Sequence, residues 1–337
     1  MSFAGFKTMG PNCCCCRSNF YQNNGTGLIE LELNPDAAVN NRLSLRAQLT
    51  GGFAYPGGTA VDYLNEHVYF RRTVGTSGIY RVDKHFQQTP TLILATTAAE
   101  HLAVNPAAEE IYYNTIDSIN GDKIRRVNYD GSGDSQIYDA GTYAGNANRI
   151  QWITYAKVNN KLYFEQIETN TIDLNAAAHV MQSDTDGSGA TAVVSTTTPR
   201  AAIASTKRLN SPKINNVTQK LYVLRHDNTV TVDYTLESYN LDGSGREVLD
   251  TLANTPTINN FANLAVSNKS NKVLVFWRYN GVVWTWSEYD VTASGPLTDV
   301  ATEGDFNAIP GVDSMNTSSR QMSYGCGYED FGANTLA

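Results

Sequence analysis

Ile124-Arg-Arg-Val-Asn-Tyr129, Asp130-Gly131-Ser132-Gly133, then Gln136-Ile-Tyr138: this stretch reads as a strand, a tight turn and a second strand. Asp-Gly readily takes the positive φ that tight hairpins need. The same turn returns as Asp186-Gly187-Ser188-Gly189 and as Asp242-Gly243-Ser244-Gly245, each copy 56 residues after the last. Its flanks return too. His179-Val-Met-Gln-Ser-Asp-Thr185 and Thr191-Ala-Val-Val194 enclose the second copy, Leu236-Glu-Ser-Tyr-Asn-Leu241 and Glu247-Val-Leu249 the third. A fixed period of this size marks a repeat architecture.

Weaker hairpins extend the series. Leu28–Leu33 precedes Leu43–Leu49, Tyr80–Asp83 precedes Thr91–Leu94, and Glu288–Asp290 precedes Leu297–Val300, so turns recur near positions 34, 83, 130, 186, 242 and 290. Upstream of each internal hairpin lies another strand pair, such as Leu102-Ala-Val-Asn105 with Glu110-Ile-Tyr-Tyr113, or Trp152-Ile-Thr-Tyr155 with Lys161-Leu-Tyr-Phe164. Four antiparallel strands per unit, six times over, predict an all-β, six-bladed β-propeller. The chain opens on an outer hairpin alone and closes on an inner pair, Val312–Thr317 and Arg320–Tyr324. The two termini are therefore expected to share one blade, which removes free sheet edges. Residues 1–19 read as a Cys-containing tail, 20–325 as the propeller and 326–337 as a second tail.

Ala103-Val-Asn-Pro106, Ile111-Tyr-Tyr113 and Ile124-Arg-Arg-Val-Asn-Tyr-Asp-Gly-Ser132 follow one another in an order that resembles the six-bladed propellers of low-density-lipoprotein-receptor (YWTD) type. The resemblance spans residues from about 20 to 325. The Trp-Thr-Asp core of that repeat is absent from every blade, so the resemblance implies the fold and not a receptor function.

Composition narrows the function. The net charge is −8 and the pI about 5.1, against the clustered Lys and Arg that phosphate binding needs, so no nucleic-acid partner is expected. No run approaches the ~20 apolar residues of a membrane span, and Met1–Pro11 lacks the apolar core of a signal peptide. Charged residues make up only 17% and Asn, Thr, Ser and Gly are abundant, a neutral hydrogen-bonding surface suited to an assembly. The expected setting is a virion or an extracellular fibre reached without a signal peptide, with a cytoplasmic scaffold as the alternative.

Four features are candidates for chemistry. Asp184-Thr-Asp186 resembles the start of a calcium loop, but no further ligands and no Glu near the twelfth position follow, so a structural turn is expected and no metal or cofactor is assigned. Cys13, Cys14, Cys15 and Cys16 form an unbroken run and Cys326 stands alone. Adjacent residues in an extended chain point apart, unlike the spaced pairs of zinc sites, so these sulfurs are candidates for a disulfide or a cross-link, with inert thiols and then metal or iron–sulfur ligation as the other readings. His67, His85, His101, His179 and His226 lie outside any nucleophile motif and read as surface or packing residues; no catalytic residue is assigned. Asp62, Asn105, Tyr155, Asn215 and Asn268 hold matching places on the innermost strands, where an oxygen-rich ring would suit a propeller enzyme acting on sugars or lactones through a channel metal.

What remains is surface. Loops linking second to third strands gather on one face of a propeller with those leaving the outer strand, and they run Arg71–Gly78, Asn114–Lys123, Glu165–Ala178 and Arg225–Tyr234. Insertions on one face mark a binding face. Tyr55, Arg71, His101, Trp152, Arg225 and Trp284 are the aromatic and charged residues expected there. The expected role is non-enzymatic binding or assembly, with protein partners or copies of the chain itself.

Overall fold

The computed structural model describes residues 18–23, 27–33, 43–50, 58–168 (save 63, 74 and 144), 177–196, 208–226, 234–252, 263–266, 272–279 and 283–309 (save 294). Within them each Asp-Gly-Ser-Gly stretch forms one and the same turn. Asp130 Oδ1 accepts hydrogen bonds from Ser132 N at 2.9 Å and Ser132 Oγ at 2.6 Å, while Gly131 N donates to Asn128 O at 2.9 Å. Asp186 with Ser188 and Asp242 with Ser244 repeat those bonds, and Thr292 takes the serine's part beside Asp290. The serine hydrogen bonds hold the Asp130, Asp186 and Asp242 carboxyls below their usual pKa. The carboxylates serve the turn, as the sequence predicts.

The strands run in chain order. A three-stranded sheet contains β1 (Ser18–Asn23), β2 (Gly27–Leu33) and β3 (Leu43–Thr50). The first four-stranded blade contains β4 (Thr59–Asp62), β5 (His67–Arg72), β6 (Gly78–Asp83) and β7 (Thr91–Ala95). The second contains β8 (Ala99–Asn105), β9 (Glu110–Thr115), β10 (Lys123–Asn128) and β11 (Ser135–Asp139), and is followed by a small hairpin, β12 (Thr142–Tyr143) with β13 (Asn146–Ala147). The third contains β14 (Arg149–Ala156), β15 (Lys161–Ile167), β16 (Ala178–Asp184) and β17 (Thr191–Ser195). β18 (Arg208–Asn215), β19 (Lys220–His226), β20 (Tyr234–Asn240) and β21 (Glu247–Leu252) make the fourth. β22 (Asn263–Val266), β23 (Lys272–Tyr279), β24 (Val283–Asp290) and β25 (Thr298–Thr302) make the fifth, and a short helix α1 (Glu303–Asn307) ends the described chain.

The fold is thus an all-β propeller of four-stranded antiparallel blades, and among the described residues there are five such blades rather than the six expected. The N-terminal unit also differs from expectation. It has three strands and not a bare hairpin, because Ser18–Asn23 pairs with β2 along its whole length, Ser18 opposite Leu33 through Asn23 opposite Leu28. The C-terminal pair at 312–325, residues 1–17 and the C-terminal tail lie outside the described residues, whereas Ser18 and Asn19, expected in the N-terminal tail, belong to β1.

The inner strands β4, β8, β14, β18 and β22 contact one another in sequence and so surround the axis. Burial lies between blades, where each pair shares an apolar cluster. Tyr69 and Ile79 meet Ile111 and Tyr113 between the first and second, and Tyr163 and Val180 meet Leu221 and Val223 between the third and fourth. Leu49 on β3 packs against Val68 and Phe70, which seats the three-stranded sheet beside the first blade. On its other side α1 touches β3, β24 and β25, with fully buried Phe306 stacked on Trp286 at 6.0 Å and 14°.

Sequence repeats recur as geometry. Glu66, Glu109, Asn160 and Gln219 all take φ of 54–56° immediately before a second strand, so the inner hairpins of the first four blades each close through one left-handed residue. The pairing of third with fourth strand slips at Ile79/Tyr80, Ile124/Arg125, Val180/Met181, Leu236/Glu237 and Trp286/Ser287, and in the N-terminal sheet at Glu30/Leu31. A bulge raises the local twist, and here it does so once per unit.

Candidate functional site at the axial mouth

Chain direction places the first turn of each inner strand on the face shared with the second-to-third connections. There the inner strands are irregular. Pairing slips between Ala99 and Leu102 in β8, between Gln151 and Thr154 in β14 and between Asn210 and Lys213 in β18. Bulges re-aim side chains, and at barrel rims they accompany functional sites. The slip in β8 turns out Glu100 and His101; the slip in β14 turns out Trp152, which takes φ +54°, a costly value for a bulky residue.

Buried polar groups hold this geometry. Asn114, fully buried on β9, accepts a hydrogen bond from His101 N at 2.7 Å and donates from Nδ2 to Ile150 O at 3.0 Å, linking the bulge of one blade to the inner strand of the next. Asp122, also fully buried, accepts from Ile150 N at 2.9 Å and from Arg149 Nε at 3.0 Å. Gly58 N donates to Glu100 O, and a Cβ on Gly58 would lie 2.8 Å from His101 Cα, so only glycine allows this approach.

The result is a cationic cluster at the mouth. The His101 ring lies 4.8 Å from that of Trp152, tilted by 41°. Desolvation, together with the charges of Lys213, Arg71 and Arg149, lowers the His101 pKa to about 3. Lys213 comes from the fourth blade and Arg71 from the first, so groups from four blades converge. Arg71 Nη2 donates to Thr97 O at 3.4 Å, and Arg149 Nη2 stands 3.9 Å from Glu100 Oε2. Burial raises the Glu100 pKa despite Arg149 and Arg71, and burial lowers that of Arg71. Trp152 Nε1 is buried and donates to no described group. A neutral imidazole among cations is a poor general base near neutral pH. The arrangement suits holding an anion against an aromatic wall.

Of the residues expected on the binding face, Arg71, His101 and Trp152 are brought together. Arg225 is not. It is buried in β19, donating from Nε to Glu237 Oε2 at 3.0 Å and from Nη2 to Tyr239 Oη at 3.1 Å, with Arg246 Nη2 on the other Glu237 oxygen at 2.6 Å. Burial alone would raise the Glu237 pKa, but the bonds from Arg246 and Tyr239 and the charge of Arg225 hold it below its ordinary value. Trp284 lies at the start of β24, while Tyr55, Cys13, Cys14, Cys15, Cys16 and Cys326 lie outside the described residues. Glu100, Arg149 and Lys213 were missed, because only the bulges and the ring bring them to the axis.

The proposed oxygen ring is corrected. Asp62 Oδ1 accepts from Leu64 N and Asn65 N, and Asn215 Oδ1 from Val217 N and Thr218 N, so these residues cap their hairpin turns. Asn105 does the same for Ala108 N at 3.4 Å. In the third blade their place opposite the first residue of the second strand is held by Ala156 and not Tyr155, whose hydroxyl donates to Asn160 Oδ1; Asn268 lies outside the described residues.

Fold and cluster together define a β-propeller whose inner strands carry polar and aromatic side chains at one end of the axis. No family model and no curated protein sequence matches this chain. Among solved structures it is similar to one in a nidogen/laminin complex, with a TM-score of 0.58 at 15% identity over 85% of this chain and 92% of that one. It is similar also to TolB from Acinetobacter baumannii, with a TM-score of 0.56 at 10% identity over 82% and 62%, and to a putative 6-phosphogluconolactonase from Bacteroides uniformis, with a TM-score of 0.51 at 9% identity over 84% and 95%. At these identities the likeness shows the propeller fold. Among the described residues no helix is long and apolar enough to cross a membrane.

Proposed function

We propose that this protein is a binding propeller whose axial end holds an acidic group of a protein partner or of another copy of the chain. One observation carries the reading: Arg71 and Lys213, with Arg149 held by Asp122 and Glu100, converge on a neutral His101–Trp152 pair in a chain whose net charge is −8. Three cations against two carboxylates leave a local positive charge in an acidic protein, which favours an anion. The neutral, Asn- and Thr-rich surface supports a larger particle, a virion or an extracellular fibre, as the setting. We also take the N-terminal sheet to be a sixth blade. Its bulge at Glu30/Leu31 gives β2 and β3 the places of third and fourth strands and leaves β1 second.

The test is titration of the full chain with citrate and with an acetylated Asp-Glu-Asp peptide, followed by tryptophan fluorescence and calorimetry at low and high salt. Binding should weaken with salt and fall at least about tenfold in Arg71→Gln and Lys213→Gln, because screening and loss of one partly buried charge each remove about 1–2 kcal/mol. Equal affinity in wild type and both variants would refute the assignment.

A further inference from the structure

Away from the axis, the upper edge of the third blade gathers a serine, a histidine and a carboxylate. Ser195 ends β17, His179 is the second residue of β16, and Glu168 follows β15. Ser195 Oγ lies 2.8 Å from His179 Nδ1, and Glu168 Oε1 lies 3.5 Å from His179 Nε2. Ser195 and His179 are directly opposed in the sheet, so their contact follows from register alone. Register does not supply the third member. Glu168 reaches the far nitrogen from outside the strand, and Ala177 N fixes its other oxygen at 2.8 Å. A carboxylate at Nε2 favours the tautomer protonated there, which leaves Nδ1 to accept the serine proton.

We infer that Ser195, His179 and Glu168 form a nucleophile–base–orienter set that acts on carboxylic esters. Nucleophile and base stand within hydrogen-bond reach and the base is oriented by a third group, which is the geometry that acyl transfer uses. His179 and Glu168 retain 20% and 18% of their side-chain exposure, so the set is open to substrate and water. Arg225 Nη2 donates to the Ser195 backbone carbonyl at 3.3 Å, which ties the end of β17 to the neighbouring blade. In the step, Ser195 Oγ bonds to the ester carbonyl carbon while its proton passes to His179 Nδ1. The carbon–alkoxy bond then breaks and the alcohol leaves with that proton. Water adds to the acyl-serine, giving its proton to His179, and the carboxylic acid departs as Ser195 regains its hydrogen.

The site is separate from the axial mouth, and its test is independent of anion binding. The full chain is treated with a fluorophosphonate probe and assayed on p-nitrophenyl acetate. Expected are one label per chain, placed on Ser195 by peptide mass spectrometry, its loss in Ser195→Ala, and labelling about 100-fold slower in His179→Gln and slower again than wild type in Glu168→Gln. Val217→Ser, at an exposed turn position, should label as wild type. Absence of label on Ser195, or a rate unchanged in His179→Gln, overturns the inference; if His179→Gln does not fold, an unchanged rate in Glu168→Gln overturns it equally.

Discussion

Gly187→Ala should destabilise this propeller far more than a turn glycine ordinarily would, because its turn is a joint between blades. Gly187 has φ +83°, and a Cβ there would lie 2.5 Å from the Ile137 carbonyl carbon and closer still to its oxygen, on the outer strand of the preceding blade. Gly243 stands in the same way 2.6 Å from the Val193 carbonyl carbon, and Gly131 more loosely at 3.4 Å from that of Ile93. Left-handed backbone costs an L-residue about 1–2 kcal/mol. Forcing a methyl into packed backbone adds about 1–3 kcal/mol, since here no side chain can swing away. The sum is about 2–5 kcal/mol for Gly187 and Gly243, and less for Gly131. Gly141 supplies the control: its φ is +62° but nothing lies within 4 Å of its Cβ position, so Gly141→Ala carries the backbone cost alone. Urea unfolding followed by tryptophan fluorescence and circular dichroism measures both. If Gly187→Ala falls within about 0.5 kcal/mol of Gly141→Ala, the inter-blade contact contributes nothing and the reasoning fails.

Two further outcomes are expected. His101, with a folded pKa of about 3 against an ordinary 6.5, should stay neutral in the native protein through pH 5; the unfolded chain binds more protons in that window, so its contribution is present above pH 6.5 and is lost as pH falls towards 3. An NMR titration of the His101 ring with a midpoint near 6.5 would contradict this, and His101→Gln should flatten the acid limb of stability. Phe306→Ala should cost about 3–5 kcal/mol, the usual loss for a fully buried aromatic, and should raise hydrogen exchange in β3 and β25 together, because α1 touches both. Exchange raised in β25 alone would show that the helix does not tie the N-terminal sheet to the fifth blade.

The repeat, the strand boundaries and the turn chemistry were legible in the sequence because they are local. Asp-Gly-Ser-Gly encodes its own hydrogen bonds, and the alternation of Lys161-Leu-Tyr-Phe164 or Glu110-Ile-Tyr-Tyr113 encodes a strand wherever the blade sits. The same locality misled at the N-terminus, where Ser18–Asn23 carries too little apolar pattern to announce itself and becomes a strand through pairing with β2. Arg71, His101 and Trp152 could be assigned to a face because strand direction fixes that. Arg225 lies on a second strand as Arg71 does, yet Glu237 and Tyr239 on the neighbouring strand draw it inward. The meeting of Arg71, Arg149 and Lys213 around His101, and of Glu168 with His179 and Ser195, depends on bulges and on how blades close into a ring. Those are properties of distant segments packed against each other, so only the tertiary structure could decide them.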